Sequence, residues 1–399
     1  MSILQKKTKE FESIKTLRSA PLAEQRAAGY ADTLREILQQ PQTWQGTAEH
    51  IAQPAAREPF ARALQPRPTH IVLTGSGSSM YIGESLAPTL QAELGISTQA
   101  IAAGTLLTHL RGTLPPGPGL LVSFARSGDS PESCGVVSRI LEEASDWRHL
   151  VITCNAQGKL ATLYRDEPRV DVVVLDERTN DRSLVMTSSF SNLLLAGTGL
   201  LQAGQGAIPA TALPSLVEAV QQVFDHHGEA IAGMARRDFD AAVYLGSGGG
   251  IGIAREAALK MLEMTGGKVI TLAETFLGLR HGPMSSVHPK TLIVAFLSSD
   301  PVVRGYEADL LRELSRKQLG LARLIVGEGI PADLVGVDDV AIDLRGVAGH
   351  GEVPTLLAEV VAGQLLAFFR CLHLGDKPDT PSQGVLTRVV EDFAIHGAG

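Results

Sequence analysis

Ile71-Val-Leu-Thr-Gly75-Ser-Gly77 and, 171 residues later, Val243-Tyr-Leu-Gly246-Ser-Gly248 are the stretches on which the reading of this chain turns. Each is a short apolar run ending in a glycine-serine-glycine turn, as expected where a buried strand hands over to a helix. The same offset relates Leu121-Val-Ser-Phe and its turn Ser127-Gly-Asp129 to Leu292-Ile-Val-Ala and Ser298-Ser-Asp300. Further on the spacing drifts by a few residues: Leu150-Val-Ile matches Leu324-Ile-Val, and Val172-Val-Val matches Val340-Ala-Ile. Four strands recurring in one order predict two copies of one α/β unit. Between the first four strands the chain reads as helix near 81–94, helix near 131–144 and a short helix before Val170, and after the fourth as helix near 184–202. Such alternation predicts a parallel sheet covered on both faces.

Around this repeat, residues 1–65 are mostly polar with helical periodicity. Leu34, Ile37 and Leu38 form one apolar face and Trp44 extends it. Lys6, Lys7 and Lys9 form a small basic cluster that reads as solvated surface. Gly, Ala and Pro gather over Gly204–Leu216, where the copies join. The expected organisation is a helical segment over 1–49, one α/β domain over 50–215 and a second over 216–399.

Composition bounds the function. With 44% hydrophobic and 20% charged residues the 399-residue chain is ordinary globular material. Its net charge of −8 gives no bulk reason to bind nucleic acid, and residues 1–65 hold no separate DNA-binding head. Three cysteines (Cys134, Cys154, Cys371) without CxxC spacing argue against a disulfide framework or structural zinc and fit a reducing cytoplasm. The first residues lack a signal-peptide core, and no run of about 18 apolar residues predicts a membrane span.

Two strand-to-helix turns are rich in hydroxyls. In Arg126-Ser127-Gly128-Asp129-Ser130-Pro131, Ser130 and Pro131 read as the cap and first residue of a helix. Helix-start amides with the Ser127 and Ser130 hydroxyls would make an anion cradle, although a plain helix cap fits the same letters. Gly75-Ser76-Gly77-Ser78 would share its rim, because ligands of open parallel sheets sit at the carboxyl ends of strands. Together the turns favour a phosphorylated polyol. Met80 and Ile251 stand where the dinucleotide fingerprint needs its third glycine, so a nicotinamide cofactor is not expected. The second copy, with Pro301 and Arg304 where the first has Ser130 and Ser133, has lost hydroxyls, so the halves should divide the labour.

Glu256, Lys260 and Glu263 stand at i, i+4 and i+7 of an otherwise apolar helix. They read either as a structural ion-pair stripe or as a carboxylate and lysine facing a cleft, suited to proton transfer. His281, in Arg280-His-Gly-Pro283, is a loop histidine whose chemistry would suit opening a sugar ring. The other histidines show no metal-ligand spacing.

Taken together, Gly75–Glu84, Ser123–Ser133, Asn180–Ser189 and Arg255–Glu263 resemble the double sugar-isomerase (SIS) domain proteins, and within them the tagatose-6-phosphate ketose/aldose isomerase or galactosamine-6-phosphate deaminase family. The resemblance covers roughly residues 50–395. It implies two flavodoxin-like, three-layer parallel-sheet domains that bind a phosphosugar, usually in a homodimer with shared active sites, and no metal or redox cofactor. By that likeness Ser127 and Ser130 hold the phosphate beside Arg126, and Ser76 and Ser78 line the sugar. Glu263 moves a proton between C1 and C2, supported by Lys260 and Glu256. His281 matches a ring-opening histidine donated across the dimer, and Arg388 the position of a carboxy-terminal lysine that reaches substrate. The implied reaction converts galactosamine 6-phosphate to tagatose 6-phosphate and ammonia. A more distant likeness is to the isomerase half of glucosamine-6-phosphate synthase. Ala125 departs from the hydroxyl of that enzyme's phosphate loop, and the stretch from Glu263 to His281 is slightly longer. Its glutaminase half has no counterpart here, so ammonia transfer from glutamine is not expected. The rival readings are a non-catalytic phosphosugar sensor and an isomerase or deglycase for another sugar phosphate.

Overall fold

The computed structural model describes residues 13–204, 212–382, 384–390 and 393–396. The Lys6, Lys7 and Lys9 cluster and residues 205–211 of the expected join lie outside them. The chain divides into two compact units. One takes in the described residues of Gln42–Asp181, Ser188–Pro209 and Thr387–Gly399; the other takes in those of Met1–Pro41, Arg182–Thr187 and Ala210–Leu386.

The first of these carries a five-stranded parallel sheet in the order β2-β1-β3-β4-β5, built from His70–Thr74 (β1), Ser97–Ala100 (β2), Gly119–Ala125 (β3), Trp147–Thr153 (β4) and Val170–Val174 (β5). Alternation along the strands sends Val72, Leu121 and Val151 into a core with the helices Ala103–Thr113 and Pro131–Glu143. The neighbouring Leu73 points the other way and approaches Gly83 of the helix Ser78–Leu94, where a Cβ would come within 3.0 Å of Leu73 Cβ. Three layers result. Where helix was expected near 184–202, there are two, Ser188–Gly197 and Gly199–Ala203, with Thr198 between them.

The second unit repeats the strand order as β7-β6-β8-β9-β10, from Ala241–Gly246 (β6), Ile270–Thr275 (β7), Thr291–Phe296 (β8), Ala322–Gly327 (β9) and Val340–Asp343 (β10). Each sheet thus has five strands, not the four expected. The strands missed are the edges β2 and β7. Ser97-Thr-Gln-Ala100 is short and polar, and Ile270–Thr275 is buried nowhere along its length, so neither shows the continuous apolar run of a central strand.

Both sheets explain their glycine-serine-glycine turns sterically. A Cβ on Gly75 would lie 2.5 Å from Ser79 Cβ, and one on Gly246 would lie 2.1 Å from the Gly250 carbonyl oxygen, so only glycine lets each strand fold this tightly into its helix. The helix Gly250–Met264 packs on the helix Glu352–His373, with Gly363 admitting Ala257 at a distance no Cβ could share. The latter helix is long and apolar enough to cross a membrane, yet the whole of its most apolar stretch is buried in the structure, as for a core helix. Asp379 lies just beyond it and accepts from Thr33 N and Thr33 Oγ1, both at 2.8 Å, tying down the helix Ala31–Leu38.

Candidate active site

The order of the first sheet reverses between β1 and β3, whose pairing sets Thr74 against Ser123, so the turns that follow them share one rim at a topological switch point. Ser76 is exposed on the first turn, while Ser78 is buried in the opening turn of its helix. On the second turn, the loop Arg126–Ser130 is held from beneath. Asn155 Nδ2 donates to the Ser127 carbonyl at 2.8 Å, Leu160 N donates to the Gly128 carbonyl at 2.9 Å, and Lys159 N donates to Asp129 Oδ1 at 3.0 Å. Gly128 has φ +72°, and Gly158 comes so close that a Cβ there would lie 2.2 Å from the Ser127 oxygen.

Ser130 stands at the cap position of the helix Pro131–Glu143, as expected, but its hydroxyl does not cap it. It donates instead to Glu132 Oε2 at 2.6 Å, because a carboxylate two residues on is the stronger acceptor. The first-turn amides of a 13-residue helix are therefore left without a side-chain cap at the rim. Arg126 is buried beside this loop, and its charge acts on Cys154. Burial pushes the Cys154 thiol up to about 12, against a hydrogen bond from Thr179 and the charges of Arg126 and Arg388. Arg388 reaches this end of the same unit, its guanidinium on the Asp181 carbonyl and on Asn180 Oδ1. Arg126 and Arg388, distant in sequence, are brought to one neighbourhood.

In the other unit the helix Gly250–Met264 carries the ionic stripe. Lys260 Nζ lies 2.5 Å from Glu263 Oε2 and 3.5 Å from Glu256 Oε1. Glu256 and Lys260 are wholly buried, whereas the Glu263 side chain keeps 23% of its surface. The stripe is thus not a solvated ladder: two members are interior and only the third opens outward. Ser382 Oγ donates to the Glu263 carbonyl at 3.1 Å, fastening the end of the helix. His281 is exposed on the loop after the short helix Phe276–Leu279 and makes no hydrogen bond with Glu263. Among the described residues no cluster of three or more His, Cys, Asp or Glu side chains is arranged to hold a metal ion.

The chain is 35% identical to the D-galactosamine-6-phosphate deaminase AgaS of Shewanella sp. (strain ANA-3), over 97% of each chain. It is 34% identical to the D-galactosamine-6-phosphate deaminase AgaS of Escherichia coli O157:H7, over 91% of this chain and 95% of that one. The chain belongs to the galactosamine-6-phosphate deaminase family. A solved structure of tagatose-6-phosphate ketose/aldose isomerase from Escherichia coli superimposes with a TM-score of 0.79 at 30% identity, covering 90% of this chain and 97% of that one. No protein-family model matches the sequence.

Within this deaminase-family chain, sequence reasoning missed Asn155 and Gly158. They sit in the turn after β4, one strand further along the same rim, and shape the Ser127 loop from below. The one available signal was Asn155-Ala-Gln-Gly158 directly after an apolar strand, a turn of the same kind as the two singled out. Asp181 was also missed in its role: its Oδ2 accepts from Ser189 N at 2.8 Å and Ser189 Oγ at 2.6 Å, starting the helix Ser188–Gly197. Cys134 lies behind the Ser127 loop, its Sγ donating to the Gly128 carbonyl at 3.8 Å, and burial pushes its thiol up to about 11.

Proposed function

We propose that this chain converts galactosamine 6-phosphate to tagatose 6-phosphate and ammonia, with residues 50–215 and 216–399 as its two sugar-isomerase domains. The observation that carries the reading is the buried Glu256–Lys260–Glu263 group, which holds one carboxylate at the surface against a desolvated ammonium. The relatives named as galactosamine-6-phosphate deaminases support the substrate.

The Ser127 hydroxyl and the uncapped helix-start amides bind the phosphate, the Ser130 hydroxyl turning to it from Glu132, with Arg126 adding charge. Ser76 and Ser78 line the sugar, and Arg388 closes over it. Binding energy from the remote phosphate then positions the reacting carbons. His281, given across a homodimer, opens the ring. Glu263 takes the C2 proton of the open aldehyde, and the electron pair moves to form the C1–C2 enolamine. The proton returns to C1, leaving a ketimine at C2. Water adds to this C=N bond, the C–N bond breaks, and ammonia leaves with the ketose phosphate. Lys260 holds Glu263 in place through their ion pair, and Glu256 balances Lys260 in the interior. The base and the surrounding donors handle all developing charge, so the reaction calls for no cofactor, and the protein works in the cytoplasm.

The test is to mix pure protein with galactosamine 6-phosphate and follow ammonia and ketose. Both are expected in equal amounts. Ketose formation from an aldose 6-phosphate without any ammonia from the amino sugar would assign simple isomerisation instead. Neither product would leave a phosphosugar sensor.

A further inference from the structure

The turns after β6 and β8 stand, at the 171-residue offset, where the first sheet has Gly75-Ser76-Gly77 and Ser127. In the second sheet the amides of these turns are already occupied. Ser298 N donates to Glu307 Oε2 at 2.9 Å, and the Ser247 hydroxyl is hydrogen-bonded to the same carboxylate. Gly249 N, at the start of the helix Gly250–Met264, donates to Glu352 Oε1 at 3.0 Å. Asp300 Oδ1 caps the helix Pro301–Arg316, accepting from Val302 N at 2.8 Å and Val303 N at 3.0 Å. Its counterpart at the cap position, Ser130, turns its hydroxyl to Glu132 and leaves its own helix without a side-chain cap.

The sequence differences run the same way. The offset sets Leu297 opposite Arg126 and Glu307 opposite Val136, and Asp300 holds the cap position that Ser130 holds in the first unit. The second crevice has thus exchanged a cation and a hydroxyl for a carboxylate. What space remains is a small cavity lined by Ser247, Gly250, Ser298, Glu352, Thr355 and Glu359. The nearby cation, Arg304, directs its guanidinium to the carbonyls of Ser298 at 2.6 Å and Glu328 at 2.8 Å. Carboxylates on helix-start and turn amides satisfy the donors that a phosphate would use, and an incoming phosphate would meet like charge in a poorly solvated site.

We infer that the second crevice is an anion cradle filled by the chain's own Glu307, Glu352 and Asp300, so that each chain takes phosphosugar at the first crevice alone. The count of one rests on the phosphosugar reading above; the filling of the second crevice does not.

Calorimetric titration of the full chain with galactitol 6-phosphate, which has no carbonyl to turn over, is expected to give one site per chain, and none in Ser127→Asp. Two sites per wild-type chain would overturn the inference. Adding Glu307→Val and Glu352→Ser to Ser127→Asp opens the second crevice, and inorganic phosphate should then bind at least about tenfold more tightly than to Ser127→Asp alone. A triple variant that folds by circular dichroism and gains no phosphate affinity also overturns it. Should the triple variant not fold, Ser127→Asp with Glu352→Ala alone frees the Gly249 amide without touching the buried Glu307. A gain in phosphate affinity is expected there too, and its absence is equally decisive. If wild type binds no galactitol 6-phosphate, the phosphosugar reading fails, while the inorganic phosphate comparison still judges the filled crevice.

Discussion

Lys260 Nζ sits 2.5 Å from Glu263 Oε2, and the two differ sharply in exposure: the lysine is buried and the carboxylate reaches the surface. An ammonium held in the interior next to a half-open carboxylate aims that carboxylate, while leaving it access to a proton on a ligand. Glu263→Gln retains shape but removes the base. Turnover should fall by about 10²–10⁴-fold, with the dissociation constant for phosphosugar little changed. Ammonia release and calorimetry measure the two; near-normal turnover would remove Glu263 from the mechanism.

Lys260 also answers Glu256, 3.5 Å away and fully buried. Lys260→Met breaks this buried ion pair from one side and should cost about 3–5 kcal/mol of stability. Adding Glu256→Gln to Lys260→Met should restore part of this loss. Urea midpoints of the two variants check the order.

Gly158 meets the Ser127 oxygen where no side chain fits. Gly158→Ala must push the Ser127 loop away from its place. If the phosphate sits on this loop as proposed, KM for the sugar phosphate should rise about tenfold or more, with a smaller effect on kcat. A kcat/KM series with Gly158→Ala and Ser127→Ala separates loop displacement from loss of the hydroxyl.

His149 is buried in β4 with neither ring nitrogen hydrogen-bonded, and burial, helped by Arg169 and Arg148, lowers its pKa from 6.5 to about 3. The folded chain keeps this ring neutral, whereas the unfolded chain protonates it below pH 6.5, so between pH 6.5 and 3 the unfolded state binds the extra proton. Stability should therefore fall as pH drops through that window, by roughly 1 kcal/mol per pH unit from this group. Denaturation midpoints at pH 7 and pH 5 should differ less in His149→Leu than in wild type.

Much of this was legible in the one-dimensional pattern. The 171-residue recurrence of Gly-Ser-Gly and of the Ser127-type turn marked both sheets, because a central parallel strand buried on both faces must be continuously apolar and must turn on glycine where its helix returns. The spacing of Glu256, Lys260 and Glu263 put them on one helix face for the same local reason. The edge strands β2 and β7 escaped notice, since half-exposed edges carry no such run.

Tertiary packing decided the rest. Periodicity places three charges on one face but not which is interior; Gly363, by admitting Ala257, brings the helix Glu352–His373 against the Glu256 helix, and only Glu263 stays open. Ser130 was legible as a cap residue, yet the neighbouring Glu132 takes its hydroxyl. The Ser127 and Ser298 turns, related by the same offset, came to differ because the fold supplies them with different partners: Asn155 and Lys159 under the first, Glu307 on the second. Local sequence determines where a turn and its donors form, through sterics within a few residues. Which acceptor meets those donors depends on side chains that only the folded chain brings within hydrogen-bonding distance.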